Sequence, residues 1–199
     1  MSKNLIIILT KNPELGKGKS RLAATVGKEN ALVVFKELIK HTAFITQELE
    51  CDKWVLFSDY LGDNDYFEDS IYTKGLQEGN DLGERMRNAF VKATDVSYDK
   101  VMMIGSDCYQ LTKSELEKGF KILDSNDFVF GPAEDGGYYL IGTTTTFTKV
   151  FDNKTWSTKT VLYEAIRDVE NADLSFGELA TLSDVDCEED LGELRKFIS

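Results

Sequence analysis

Residues 5–22 constrain the fold of this chain more than any other stretch. Residues 5–9 form an unbroken apolar run of strand length, and residues 10–20 follow as a loop rich in glycine and lysine. A long helical pattern comes next. A buried strand, a glycine loop and a helix, in that order, are how α/β proteins arrange backbone N–H groups and cations around a phosphate. The stretch therefore predicts an α/β fold with an anion-binding loop, and the first ligand to consider is a nucleotide.

The loop region concentrates positive charge in an acidic chain. Its cations are Lys11, Lys17, Lys19 and Arg21, whereas the whole chain has a formal net charge of −12. With 35 acidic residues against 23 Lys and Arg, no broad basic face can be assembled, which argues against nucleic-acid binding. A phosphate ligand of such an acidic protein is expected to arrive with a divalent cation.

The totals predict one domain that spans residues 1–199 and buries a substantial core. No apolar stretch approaches the length of a membrane span, and the N-terminus runs into a short strand and not a signal sequence. Cys51, Cys108 and Cys187 are far apart and form no CxxC pair, which argues against a disulfide framework or a structural zinc site. We therefore expect a cytoplasmic protein without membrane partners. A homodimeric state stays open.

The remaining sequence alternates between strand and helix patterns. Apolar runs predict further strands over residues 53–58, 70–74, 100–104, 127–130, 138–142 and 179–182. Helical spacing predicts helices over 28–50, 157–169 and 188–198, and the capping boxes Asp81-x-x-Glu84 and Thr112-x-x-Glu115 begin two more. Residues 59–69 are expected to form a loop or a short helix. The alternation indicates a mostly parallel mixed sheet covered on both faces, a three-layer α/β/α Rossmann-like sandwich.

Three polar clusters follow strands of the predicted sheet. They are the loop after residues 5–9, Asp107 after residues 100–104, and residues 134–137 after residues 127–130. Ligands of open α/β sheets bind outside the carboxyl ends of the strands. The three clusters are therefore expected to meet in one site.

The loop also comes within one residue of a Walker A sequence. Residues 13–20 match its pattern except that Pro13 stands where the first glycine is needed. Proline has no N–H group and a fixed φ, so it cannot begin the wrap of N–H groups around a β-phosphate. A P-loop-like NTPase, with Asp107 as its second carboxylate, is kept as an alternative.

An ordered set of motifs carries a resemblance that covers nearly the whole chain. The motifs are Lys11-x-Pro13-x-x-Gly16-x-x-Lys19-Ser20-Arg21-Leu22, Gln77-x-Gly79-x-Asp81-Leu82-Gly83-Glu84-Arg85-Met86, Gly105-Ser106-Asp107-Cys108, residues 130–142, Trp156-Ser157-Thr158, and Asp184-Val185-Asp186-x-x-x-Asp190-Leu191. Together they resemble the glycosyltransferase-A-like nucleotide-diphospho-sugar transferase superfamily. The nearest resemblance is to the bacterial radical-SAM/selenodomain-associated transferases, which are related to phospholactate and molybdenum-cofactor guanylyltransferases. Tyr109, in place of proline, and Cys187, in place of threonine, depart from the family pattern.

The resemblance implies a metal-dependent transferase that moves a glycosyl or nucleotidyl group from a nucleotide or nucleotide-sugar to a small acceptor. It implies catalytic roles for Lys19, Asp107 and Asp135 and a Mg²⁺ or Mn²⁺ site at Asp107 and Asp186; hard cations of this kind favour oxygen ligands. The nucleotide would be held by Lys11, Gly16, Lys17, Gly18, Lys19 and Arg21. The acceptor would be held by Asp135, Gly136 and Gly137.

Structural roles remain open for the same residues. Asp107 and Asp186 could be helix caps, residues 135–137 an ordinary turn, and Lys17 and Lys19 solvated cations. A non-catalytic nucleotide-binding protein of the same fold is therefore a further alternative. His41, mid-helix with no partner in sight, is expected to be structural or exposed and not catalytic. Cys108 is expected to have a packing role, because no histidine supports it as a nucleophile.

Overall fold

The computed structural model describes residues 3–61 and 66–198. Its strands are β1 (Asn4–Thr10), β2 (Asp52–Phe57), β3 (Thr73–Leu76), β4 (Lys100–Ile104), β5 (Phe128–Pro132), β6 (Tyr138–Thr143) and β7 (Phe176–Glu178). Its α-helices are α1 (Ser20–Val26), α2 (Lys28–Thr46), α3 (Leu82–Asp95), α4 (Lys113–Ile122) and α5 (Val161–Glu170). Two 3₁₀ helices span Lys149–Phe151 and Glu188–Phe197. None of the helices within these ranges is long and apolar enough to cross a membrane.

The strands form a 7-stranded sheet of order β3-β2-β1-β4-β6-β5-β7. Strand β1 pairs in parallel with β2 and β4, and the β2–β3 and β5–β7 pairs are also parallel. Strand β6 runs antiparallel between β4 and β5. The predicted α/β architecture with a mostly parallel mixed sheet is confirmed.

Successive residues of β1 point to opposite faces of the sheet, as strand geometry requires. Ile6 and Ile8 pack in a cluster with residues of α2 and α4, while Leu5 and Ile7 pack in a second cluster with residues of α3 and α5. All four side chains are fully buried. Because helices cover both faces, β1 reads in the sequence as a continuous apolar run and not as an alternating one.

Both predicted capping boxes begin helices. The Asp81 side chain accepts a hydrogen bond from the amide of Glu84 at the start of α3, and the Thr112 hydroxyl accepts one from the amide of Glu115 at the start of α4. Each cap satisfies a backbone donor that the first helical turn leaves unpaired. The cap at Asp81 fixes the entry of α3, whose first residues lie at the site described below.

Several element boundaries differ from the sequence prediction. The last strand was predicted over residues 179–182, but the structure has β7 at residues 176–178. Within the predicted range, Leu182 makes an isolated parallel bridge to Ala133. Helix α5 begins at Val161 and not at Ser157, because Ser157 has a φ of 62°, which a right-handed helix does not allow. The predicted third strand lies three residues later, at 73–76. Part of the predicted loop or short helix over residues 59–69 lies outside the described residues.

The C-terminal helix is a 3₁₀ helix with a break. Gly192 has φ 47° and ψ −122°, which interrupts the segment Glu188–Phe197. Its buried residues Leu191 and Leu194 are three residues apart, and that spacing matches three residues per turn. These two side chains pack with Leu22, Val34 and other residues of α1 and α2, so the segment covers the helices that follow the glycine loop.

Candidate functional site

A cavity of about 560 Å³ opens at the carboxyl ends of β1 and β4. The three polar clusters that follow predicted strands meet there, as the sheet geometry requires. Of the predicted site residues, those that line the cavity are Lys11, Gly18, Lys19, Asp107, Asp135, Gly137 and Asp186. Gly16, Lys17, Arg21 and Gly136 do not line it. Lys17 is instead exposed and pairs with Glu14 at 2.9 Å.

The glycine loop is anchored at its start by Asn12, whose side chain is buried. Its amide nitrogen donates to the main-chain oxygen of Tyr60 at 2.8 Å, and its side-chain oxygen accepts from the amides of Asp59 and Tyr60 at 3.1 and 3.3 Å. These bonds tie the loop to the segment that follows β2. A buried amide side chain satisfied in this way holds one backbone geometry, so the loop is preformed.

The end of the loop turns Lys19 inward. Gly18 has a φ of 67°, and a Cβ placed on it would lie 3.3 Å from the ring of Phe35 in α2. Lys19 itself has left-handed dihedrals, φ 39° and ψ 40°, which are uncommon for a residue with a side chain. Only 5% of the Lys19 side chain is exposed. The turn thus directs a lysine into the cavity immediately before α1 begins.

The Lys19 ammonium joins two carboxylates from distant parts of the chain. Its Nζ lies 3.1 Å from Oδ1 of Asp107 and 3.3 Å from Oδ1 of Asp186. The exposed Arg21 guanidinium also pairs with Asp186, through its second carboxylate oxygen. Both carboxylates remain partly exposed, at 45% for Asp107 and 34% for Asp186. A buried ammonium and two accessible carboxylates therefore share the mouth of the cavity.

Hydrogen bonds next to Asp107 join the ends of three strands. The residue before it, Ser106, is buried and shares a hydrogen bond of 2.9 Å with the hydroxyl of Thr10 at the end of β1. The side-chain amide of Gln77 extends this network by donating to the main-chain oxygens of Thr10 and Leu56, both at 2.9 Å. The ends of β1, β2 and β4 are thus held together under the carboxylate. The motif at residues 77–86 does not by itself predict this role for Gln77.

Asp184 is a site residue that the sequence reasoning missed. It lines the cavity. The pKa of its carboxyl group is raised to about 7, mainly because the group is buried and secondly because the negative Asp107 carboxylate is nearby. The signal in the sequence was the pair of carboxylates in Asp184-Val185-Asp186, of which only the second was assigned a role. Asp184 is therefore a fourth acidic residue in the cavity, with Asp107, Asp135 and Asp186.

The turn between β5 and β6 also contributes to the wall of the cavity, through Asp135 and Gly137. The Asp135 side chain accepts a hydrogen bond from the amide of Gly137 at 2.8 Å. Gly136 has a φ of 90°, and a Cβ on it would lie 2.3 Å from the main-chain oxygen of Lys159. The turn thus packs directly against the segment before α5. This close approach explains the glycine at Gly136, although Gly136 itself does not reach the cavity.

Below the charged rim the cavity is walled by apolar side chains. Leu82 and Met86 of α3, Tyr138 of β6 and Trp156 line it. The Tyr138 hydroxyl is buried and makes no hydrogen bond within residues 3–61 and 66–198. Aromatic and aliphatic walls with a few polar groups are typical of small-molecule sites.

Neither His41 nor Cys108 forms a nucleophilic pair. The Cys108 thiol is buried, which raises its pKa to about 12, and its Sγ contacts the main-chain oxygen of Ser183. The His41 ring bonds to the main-chain oxygen of Leu111 and lies 4.6 Å from the Tyr109 ring. The three cysteines of the chain are free thiols.

The donor set suits a cation that brings most of its own ligands. Within the described ranges, no group of three or more His, Cys, Asp or Glu side chains is arranged to hold a metal ion. Asp107 and Asp186 can nevertheless face one cation together, because both already contact the same nitrogen. Mg²⁺ commonly binds through one or two carboxylates, with phosphates and water completing the shell. The residues present fit that pattern.

This fold and the site at its strand ends define the nucleotide-diphospho-sugar transferase class of α/β proteins, and the predicted resemblance to the glycosyltransferase-A-like superfamily is confirmed. Within that class, residues 44–158 match the DUF2064 family, described as uncharacterized proteins conserved in bacteria. The match spans more than half of the chain, and the chain belongs to this family. No curated protein is similar to it in sequence.

Solved structures agree with this assignment. A candidate nucleotide-diphospho-sugar transferase from Desulfovibrio desulfuricans G20 is 31% identical with a TM-score of 0.90, over 98% of this chain and 87% of that one. The CMP:2-keto-3-deoxy-manno-octonic acid synthetase, complexed with CTP, is 15% identical with a TM-score of 0.55, over 98% of both chains. Rv0371C of Mycobacterium tuberculosis H37Rv, in complex with manganese, is 12% identical with a TM-score of 0.53, over 98% of this chain and 99% of that one. The last two similarities concern the fold alone.

Proposed function

We propose that this protein is a cytoplasmic, metal-dependent transferase with one domain over residues 1–199. It binds a nucleotide or nucleotide-sugar and transfers a nucleotidyl or glycosyl group to a small acceptor. The observation that carries the proposal is the bridge from the Lys19 ammonium to Asp107 and Asp186 at the mouth of the cavity. A cation and two carboxylates there supply what a nucleotide phosphate with its metal needs.

The loop after β1 would hold the phosphates. Lys19 lies in the cavity wall and Lys11 beside it, while the amides near Gly18 precede the N-terminus of α1. Cations and backbone N–H groups at a helix start favour phosphate binding. Arg21 is exposed and next to Asp186, so it is placed to reach a phosphate that extends toward solvent.

Asp107 and Asp186 would hold Mg²⁺ or Mn²⁺, which neutralises negative charge on the departing pyrophosphate or nucleoside diphosphate. The manganese complex of the related fold and the two-carboxylate donor set support this assignment. Asp135 and Gly137 line the same cavity and would bind the acceptor. Preorganised charges of this kind stabilise developing negative charge without reorganising during the reaction.

The P-loop alternative is disfavoured by the fold and by Pro13. In a Walker A loop the lysine reaches the β- and γ-phosphates from a wrap of N–H groups. Here Pro13 has no N–H group to begin that wrap, and the sheet places the antiparallel β6 next to β4. A non-catalytic nucleotide-binding protein remains the competing function, because it needs the same loop.

The test is a thermal-shift screen of nucleoside triphosphates and nucleotide-sugars, each with and without Mg²⁺ or Mn²⁺. A ligand that binds only the folded form stabilises it by about 2.7 kcal/mol at a hundredfold excess over Kd. A hit is then incubated with candidate acceptors, and release of pyrophosphate or of nucleoside diphosphate distinguishes nucleotidyl from glycosyl transfer. No shift with any ligand would overturn the proposal, and binding without turnover would favour the non-catalytic function.

Two variants make the screen specific to the site. Asp107→Ala should abolish the metal-dependent part of the thermal shift, because it removes one of the two carboxylates. Glu134→Gln is the matched control. Glu134 belongs to the turn between β5 and β6, but its side chain is exposed and does not line the cavity. A metal-dependent shift that survives Asp107→Ala at full size contradicts the metal assignment.

A further inference from the structure

We infer that Lys19 is an internal competitor for the divalent cation, so that the metal binds weakly until a phosphate ligand draws the lysine away. This inference rests on the proposed function for the identity of the site, and it adds a rule for the order of binding. The lysine would act as a positioning residue that couples the metal to the nucleotide.

The first support is that the lysine and a metal ion need the same atoms. Lys19 Nζ contacts Oδ1 of Asp107 at 3.1 Å and Oδ1 of Asp186 at 3.3 Å. A metal held by both residues would need the carboxylate oxygens that now pair with the ammonium. Lys19 would therefore compete with the metal for them.

The second support is burial. Only 5% of the Lys19 side chain is exposed, while the carboxylates it joins are 45% and 34% exposed. A cation added beside a poorly solvated ammonium is strongly repelled, because water screens the repulsion less than at a surface. The left-handed backbone of Lys19, fixed between Gly18 and α1, limits how far the side chain can withdraw.

A phosphate changes this balance. It offers the ammonium new negative oxygens at the start of α1 and neutralises the repulsion between lysine and metal. Nucleotide binding should therefore raise the affinity for the metal, and by linkage the metal should raise the affinity for the nucleotide by the same factor. Without nucleotide, Lys19 keeps Asp107 and Asp186 paired.

The test measures Mn²⁺ affinity without any nucleotide, from the electron paramagnetic resonance signal of free Mn²⁺. Lys19→Met removes the charge and keeps the length of the side chain. We expect it to tighten the Kd for Mn²⁺ about tenfold, within the usual range of coupling between sites. Lys17→Met is the matched control and should not change the Kd, because Lys17 is exposed and pairs with Glu14.

A second substitution tests whether the tighter Mn²⁺ binding of Lys19→Met takes place at Asp107. The double variant Lys19→Met with Asp107→Asn should lose the tighter binding. A Kd in Lys19→Met that is equal to or weaker than that of the parent overturns the inference, and so does a gain that survives Asp107→Asn. These outcomes are independent of the nucleotide screen, which can fail or succeed separately.

A measurement on the unsubstituted protein covers the case in which Lys19→Met does not fold. Amine-reactive labelling followed by mass spectrometry gives the modification rate of each lysine. Saturating Mn²⁺ should raise the rate at Lys19 severalfold relative to Lys17, because the metal releases the ammonium. An unchanged or lower rate at Lys19 contradicts the competition.

Discussion

The main-chain amide of Val185 donates a hydrogen bond to the main-chain oxygen of Asp107 at 3.0 Å. Val185 is buried, and the acidic residues on either side of it, Asp184 and Asp186, both line the cavity. This backbone hydrogen bond thus brings the carboxylates of Asp184 and Asp186 close to that of Asp107, although more than 70 residues separate them in the sequence. This contact joins the two carboxylates proposed to hold the metal, and the Asp184 carboxylate beside them, to the edge of the sheet.

The ionisation of Asp184 predicts how stability depends on pH in the metal-free protein. Its pKa is raised to about 7 in the folded state, above the usual value of about 3.9 for an unfolded chain. Between these values the folded state binds a proton that the unfolded state lacks, so the free energy of unfolding falls as pH rises through this window.

Asp184→Asn removes this dependence because asparagine does not ionise. Relative to the parent, the variant should gain about 1–4 kcal/mol in unfolding free energy between pH 4.5 and pH 8. Denaturant titrations across this range measure the difference. Asp173→Asn changes an exposed carboxylate that does not line the cavity, and its difference from the parent should stay flat. Parallel pH profiles for parent and Asp184→Asn would refute the assignment.

The turn at Gly136 predicts a matched pair of glycine substitutions. Gly136→Ala places a Cβ 2.3 Å from a main-chain oxygen at a φ of 90°, so we expect a loss of at least about 2 kcal/mol in unfolding free energy. Gly105→Ala, at the end of β4, meets no atom within 4 Å and should change stability by less than about 0.5 kcal/mol. Denaturation midpoints compare the two. Equal effects would mean that the turn is not held against Lys159.

The anchor of the glycine loop gives a third prediction. Asn12→Ala removes the three hydrogen bonds from the buried Asn12 side chain to the backbone of Asp59 and Tyr60, at a cost of about 1–3 kcal/mol. It should also weaken nucleotide binding, because the loop is no longer preformed. Asn88→Ala, which removes one exposed hydrogen bond to Glu78, is the control for both readouts. Unchanged nucleotide affinity in Asn12→Ala would separate the anchor from the site.

A hydroxyl on β6 gives a fourth prediction, because it supports the acidic C-terminal segment. Tyr139 donates its hydroxyl proton to the main-chain oxygen of Ala180 at 2.9 Å, four residues before Asp184. Tyr139→Phe should lower unfolding free energy by about 1 kcal/mol and weaken nucleotide-dependent Mn²⁺ binding. Tyr163→Phe changes an exposed ring on α5 and should do neither. Thermal melts and Mn²⁺ titrations provide the measurements.

The sequence predicted the elements whose burial is complete. Strands β1 and β4 are covered on both faces, so their residues appear as unbroken apolar runs, and the caps at Asp81 and Thr112 have short local signatures. It failed for β7, a strand of three residues at the sheet edge whose pairing with β5 depends on tertiary contacts. The neighbouring apolar residues 179–182 gave a stronger but misleading pattern.

The site was predictable to the extent that it follows from sheet topology. Lys19, Asp107 and Asp135 were expected to lie together because the carboxyl ends of strands share an edge, whereas Asp186 was assigned to the site only through the family resemblance. Asp184 was missed because its importance arises from burial beside Asp107, and burial of one loop carboxylate cannot be read from local sequence. The bridge from Lys19 to two carboxylates likewise depends on the left-handed turn at that residue.

The hydrogen bond between Val185 and Asp107 also determines when the site can exist during synthesis. Six of the seven strands have been translated by residue 143, yet the cavity lacks Asp184 and Asp186 until the segment after β7 emerges from the ribosome. Under the proposed function, a metal-bound nucleotide would find both of its carboxylates only from that point on. Any stabilisation by this ligand would therefore be confined to a late step of folding, and the earlier steps would depend on the packing of the helices against the sheet.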